Sequence, residues 1–179
     1  MISDLKNKTA FITGAAHGQG RATALALAKE GVNIMAFDIA RTLTYPGYNL
    51  GSPEEMKSLV QDCESMGVRC LAFLGDVRSD EDINKAVQKG RAEFGTIDIL
   101  FNNAGICAYA RVHELTEKEW DDMLDINLKG AWMVARRIIP IMMGQRSGVI
   151  INNSSVAGLR GMNPVKSLCG VKMGTDRPY

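Results

Sequence analysis

The residues with the clearest chemistry lie between Thr13 and Gly20, in the run T-G-A-A-H-G-Q-G. Gly14 lets the chain leave a strand in a tight turn, Gly18 lets backbone approach a pyrophosphate, and Gly20 permits close packing of helix on strand. Thr13, His17 and Gln19 complete this turn as candidate cofactor contacts. The helix that follows offers free N–H groups and a positive dipole end to phosphates. Asp38 stands 18 positions beyond Gly20, close to the ~20-residue offset at which an acidic side chain meets the ribose hydroxyls. Its carboxylate accepts from both hydroxyls and repels a 2′-phosphate, which favours NAD over NADP. Arg41 is the counter-signal, because a nearby arginine accommodates that phosphate. Plain structural readings stand beside these: three glycines also make an ordinary turn, and an acid at a strand end is often only solvated.

These side chains need a frame. Short apolar runs at Thr9–Thr13, Asn33–Ile39, Cys70–Leu74, Ile97–Phe101 and Val149–Asn153 read as strands. Amphipathic stretches between them read as helices: Arg21–Gly31, Pro53–Gly67 behind an N-cap at Ser52, Ser79–Phe94, and Thr116–Met143. Thr116 with Glu119 forms a capping box, and Pro140 is expected to kink or shorten the helix end. Strands separated by helices require crossover connections, hence an α/β fold with a parallel sheet covered on both faces. The strands are apolar throughout, which predicts burial on both sides. No repeat or linker divides the chain, so residues 1–179 are expected to form one Rossmann-like domain. The segment from Ala40 to Gly51 is long for a strand-to-helix connection and carries Pro46, two glycines and two tyrosines.

Composition narrows the partners. The 179 residues are 46% hydrophobic and 23% charged, with a net charge of +1, a balance that asks for neither nucleic acid nor an anionic membrane. No apolar run approaches the roughly 20 residues of a membrane span. Met1–Lys8 lacks the apolar stretch of a signal peptide, so a cytoplasmic protein is expected. The four cysteines form no C-x-x-C pair, and only His17 and His113 could join them. Reduced thiols and no metal site follow.

Taken together the motifs become specific. The T-G-x-x-x-G-x-G spacing resembles that of the short-chain dehydrogenase/reductase family, and further motifs follow in the family's order. Asp76-Val77 resembles the pair that contacts adenine. Asn102-Asn103-Ala104-Gly105 resembles the turn beside the cofactor, with Asn103, Ala104 and Gly105 as contacts. Asn127, in I-N-L-K-G, matches the helix asparagine that holds a water in a proton relay. Ser154-Ser155 resembles the serine motif, whose second serine is catalytic. Each also has a bland reading: a tight strand exit, a helix residue bonded to backbone, hydroxyls capping strand ends. The resemblance implies a doubly wound parallel sheet in the order 3-2-1-4-5, NAD as cofactor, and interconversion of a secondary alcohol and a ketone. The long connection after Asp38 is similar to that of carveol dehydrogenases and mycofactocin-associated relatives.

Two features depart from the family. Its active tyrosine normally lies thirteen residues beyond the serine and four before a lysine that lowers the phenol's pKa. Lys172 is in place, whereas position 168 is leucine. Neither Cys169, one residue out of register, nor Tyr109 or Tyr179 is placed by a motif to replace it. The chain also ends soon after Lys172, where the family continues into sheet strands six and seven and the substrate-closing segment. The resemblance implies a homo-oligomer whose helix interface would be incomplete here, with an open sheet edge. The expected activity is therefore an NAD-dependent alcohol–ketone oxidoreductase, with Asn127, Ser155 and Lys172 as its machinery. The alternative is a nucleotide-binding fragment impaired by the lost tyrosine.

Overall fold

The computed structural model describes residues 3–107 and 112–155. Five parallel strands form one sheet: β1 (Thr9–Thr13), β2 (Asn33–Asp38), β3 (Cys70–Leu74), β4 (Ile99–Asn102) and β5 (Val149–Asn152). Their spatial order is β3-β2-β1-β4-β5, as the resemblance implies. Register is set by pairs such as Phe11 with Met35 and with Leu100. Helices α1 (Gly18–Lys29), α2 (Pro53–Ser65), α3 (Asp80–Phe94), α4 (Glu117–Leu124) and α5 (Gly130–Gln145) make the crossovers.

Two apolar layers flank the sheet. Ile12, Ile34 and Ala36 pack with Ala24 and Ala28 of α1 and Leu59 and Cys63 of α2. Phe11, Met35 and Phe37 pack with Ile83 and Val87 of α3 and Val134 and Ile138 of α5. Helix α4 starts at the expected capping box of Thr116, and at α2 the expected N-cap Ser52 proves to be a capping box with Glu55. Helix α1 begins at Gly18 rather than Arg21, so two glycines of the turn belong to its first turn.

The structure corrects two expectations. Burial on both faces holds for β1 and β2, but β3 alternates and every residue of β5 is exposed. These two are the edge strands, where covering elements are fewest. Pro140 does not shorten its helix, since α5 runs on to Gln145, two residues beyond the expected Met143. The last turn is pinned from outside: Gln145 Oε1 accepts from Ile97 N at 3.1 Å while its Nε2 donates to Ile97 O at 3.1 Å. Between α4 and α5 the helix widens to one π turn, Asp125–Lys129. Among the described residues no helix is long and apolar enough to cross a membrane.

Candidate functional site

A cavity of about 340 Å³ opens at the carboxyl ends of the central strands. Strand order reverses around β1, which makes this the switch point where α/β sheets bind ligands, and the volume lies in the range of small-molecule sites. The exit of each strand contributes one short stretch of wall. The glycine turn supplies Gly14, His17, Gly18 and Gln19. Asp38 comes from β2, Asp76 and Val77 from the exit of β3, and Asn103, Ala104 and Gly105 from the exit of β4. Asn127, Ser154 and Ser155 complete the wall. Thr13 and Gly20 stand behind it as framework. Lys172, Leu168, Cys169, Tyr109 and Tyr179 lie outside the described residues.

The framework is a lattice of backbone and amide bonds. Thr13 Oγ1 accepts from Asn103 N and Ala104 N, both at 3.0 Å. Asn103 Nδ2 donates to Thr13 O at 3.0 Å and Gly14 O at 3.1 Å. Asn153 Nδ2 then donates to Asn103 Oδ1 at 2.9 Å and Gln19 Oε1 at 2.7 Å. The exits of β1, β4 and β5 and the start of α1 are thereby one unit. Space explains Gly20: a Cβ there would lie 2.0 Å from Gly14 O. Conformation explains Gly18, whose φ is +56° with open space around it.

Asp38 is buried, and its carboxylate accepts from Ala16 N at 2.9 Å and Ala40 N at 2.8 Å. A carboxylate offers about four acceptor sites, so the two bonds leave capacity for ligand hydroxyls. The long connection after β2 passes over this group: a Cβ on Gly51 would stand 3.3 Å from Asp38 Oδ1 and 2.3 Å from Ala16 Cβ. Leu43, Tyr48 and Leu50 of that connection line the cavity. Tyr48 Oη accepts from Cys107 N at 2.9 Å, which ties the connection to the exit of β4. Tyr45 packs against the apolar core; burial first, then the Glu119 and Asp122 carboxylates, hold its phenol above the ordinary range. Arg41 is exposed.

Behind Asp76 stands a partner, Arg78, that no motif in the sequence singles out. Arg78 Nε donates to both Asp76 oxygens at 3.0 Å, and Nη2 donates to Oδ2 at 2.6 Å. Arg78 N adds a bond to Oδ1 at 2.9 Å, and Nη1 reaches Asp122 of α4 at 3.0 Å. Burial alone would raise the Asp76 carboxyl, but the Arg78 bonds and the charges of Arg78 and Arg41 hold it below the ordinary range. An acid followed two residues later by arginine was the available signal. Asn127 uses its side chain on backbone: Oδ1 accepts from Ile106 N and Nδ2 donates to Ile106 O, both at 2.9 Å. Among the described residues no group of three or more His, Cys, Asp or Glu side chains is arranged for a metal ion.

Comparison with known proteins bears on this arrangement. The sequence pattern of the family described as "short chain dehydrogenase" matches residues 8–176. A (-)-trans-carveol dehydrogenase of Rhodococcus erythropolis is 35% identical over 175 residues, covering 97% of this chain and 63% of that protein. A 3-oxoacyl-[acyl-carrier-protein] reductase of Staphylococcus epidermidis is 36% identical over 158 residues, covering 88% of this chain and 60% of its own. Among solved structures, carveol dehydrogenase from Mycobacterium avium in complex with NAD superposes with a TM-score of 0.90 at 34% identity, over 95% of this chain and 62% of that one. The chain thus spans less than two thirds of the length of these relatives.

Proposed function

The chain belongs to the short-chain dehydrogenase family, and on that premise we propose that it binds NAD in the cavity above β1 and serves alcohol–ketone oxidoreduction. One observation carries the cofactor reading: the glycine turn, Asp38, Asp76 and the exit of β4 meet around a single cavity at the switch point. The glycine turn would hold the pyrophosphate on backbone N–H groups at the start of α1. Asp38 would accept from the adenosine ribose hydroxyls and disfavour a 2′-phosphate, and the exposed Arg41 does not remove that carboxylate from the wall.

NAD, when bound, supplies the hydride acceptor or donor. The chain's own residues would do the rest. Ser155 would hydrogen-bond the substrate oxygen, and Lys172 would bind the nicotinamide ribose. The Asn127 side chain is engaged with Ile106, so its part in a water relay would fall to its backbone carbonyl in the π turn. Leu168 has no proton to exchange, and loss of a general acid–base group lowers rates by about 10²–10⁴-fold. Turnover is therefore expected to be slow while binding is intact.

The test pairs NADH titration by nicotinamide fluorescence with an absorbance assay at the reduced-nicotinamide band across secondary alcohols and ketones. Saturable NADH binding with slow oxidation of at least one secondary alcohol is expected. Binding without any turnover would leave a nucleotide-binding protein, and absent binding would overturn the proposal.

A further inference from the structure

Cys63 and Cys70 take no part in the cavity, yet the fold brings them together. Cys63 stands in the last turn of α2, and Cys70 opens β3 seven positions on. Both are free thiols, buried in the apolar layer that α2 forms against the sheet. The two share a hydrogen bond, with the Cys70 thiol donating to the Cys63 sulfur. A single buried cysteine is a small apolar filler. Two in mutual contact have a chemistry that neither has alone.

The chain between them turns tightly. Met66 N donates to Cys63 O at 3.0 Å and Gly67 N to Glu64 O at 2.9 Å. Gly67 has a φ of +82° with open space where a Cβ would stand. Arg69 N then donates to Asn33 Oδ1 at 3.0 Å, and Arg69 O accepts from Ile34 N at 2.9 Å. Cys70 is thus anchored on the sheet, while Cys63 sits on a helix end that can shift about a glycine with room around it. A bridge needs the sulfurs to close from hydrogen-bond reach to about 2.05 Å. We propose that Cys63 and Cys70 are an intramolecular disulfide site, closed by a peroxide and reopened by a dithiol, that clamps the end of α2 to β3.

The surroundings assign the two roles. The hydrogen bond from Cys70, with the charge of Arg21 on α1, holds the Cys63 thiol below its ordinary range against burial and the Asp62 and Glu64 carboxylates. The same bond, then burial, pushes the Cys70 thiol up. Cys63 is therefore the attacking sulfur. Its thiolate takes one peroxide oxygen, the O–O bond breaks, and the leaving hydroxide collects the proton released by Cys63, giving water and a sulfenic acid. The Cys70 sulfur then attacks the Cys63 sulfur, the S–O bond breaks, and the leaving hydroxide takes the Cys70 proton as a second water. Two thiols lose two hydrogens and two electrons, and the peroxide gains them. Because both thiols are buried, peroxide reaches them only when the end of α2 opens locally. The bridge would lie at the amino end of β3, away from the cavity at the carboxyl ends, so it is independent of what the cavity binds.

The experiment treats the full chain with excess hydrogen peroxide in native buffer and, separately, in urea, then blocks remaining thiols and digests with trypsin. Arg69 lies between the two cysteines, so they fall on separate peptides, residues 58–69 and 70–78. After treatment in native buffer these two are expected joined, lighter by two hydrogens than their sum, and parted again by dithiothreitol. The oxidised chain should unfold about 1 M later in urea than the reduced chain, the scale of closing a short loop. C63A treated in the same way should show neither the joined pair nor the shift, and C70A gives the same reading if C63A does not fold. Absence of the joined pair in native buffer overturns the inference, whether the thiols stay free, oxidise further or join only in urea. A pair joined between two chains, or a joined pair with an unchanged unfolding midpoint, overturns it as well.

Discussion

Strands β1 and β5 have similar sequences and opposite surroundings. T-A-F-I-T of β1 is buried at every position, whereas in V-I-I-N of β5 Val149 is 56% and Ile151 48% exposed. Both pair with β4 in register over several residues. What differs is cover: β1 lies between two strands with helices on both faces, and β5 is an edge. The same contrast runs into function. The exit of β1 ends in the lattice joining Thr13, Asn103, Asn153 and Gln19, which the exit of β5 shares through Asn153 before running on through Ser154 and Ser155 toward a segment with leucine at position 168. Strand composition specifies a strand; what buries it, and what chemistry its end can do, comes from elsewhere in the chain.

Restoring chemistry on the β5 side would break the contrast most. Leu168→Tyr places a phenol four residues before Lys172 and should raise alcohol turnover by about 10²–10⁴-fold without changing NADH affinity. Steady-state rates beside a fluorescence titration check it. Unchanged rates would move the deficit away from position 168.

The next two substitutions probe the closed side. Ile12 is fully buried between α1 and α2, so Ile12→Ala should cost about 2–5 kcal/mol in urea unfolding. Thr13→Val keeps the shape but removes the acceptor for Asn103 N and Ala104 N. Leaving buried donors unmatched costs about 1–3 kcal/mol each, and NADH affinity should fall with stability, because the two amides belong to the turn that faces the cavity. Loss of stability with unchanged NADH affinity would show that the lattice supports the fold and not the site.

The closed side was also the legible one. Gly14, Gly18, Gly20 and Asp38 act through local backbone geometry, and their spacing along the chain is the signal. Crossover helices make the sheet parallel, but its order 3-2-1-4-5 is legible only through the family resemblance of the motifs. The rest depends on distant partners. Arg78 binding Asp122 across 44 positions, Asn153 bridging to Gln19 across 134, and Tyr48 reaching Cys107 leave no local pattern. The exposure of β5 has no signal in its apolar sequence, because apolarity specifies a strand and not what covers it. That Pro140 does not shorten the helix has no local signal either, because the Gln145–Ile97 bonds that hold the last turn join residues 48 positions apart.

The smallest predicted effect is the most direct check on that lesson. Ile151 and Ile150 are chemically close to Ile12, but they are 48% and 36% exposed on an edge strand. Surface changes away from special features move stability by about 0.5 kcal/mol or less, so Ile151→Thr should leave the unfolding midpoint nearly where it was. An exposed apolar edge also invites pairing with another strand. Ile150→Lys should therefore lower self-association in light scattering while changing stability little. A destabilisation of Ile151→Thr as large as that of Ile12→Ala would mean that β5 is covered in solution, by another part of the chain or by a second copy, and the contrast between the two strands would fall.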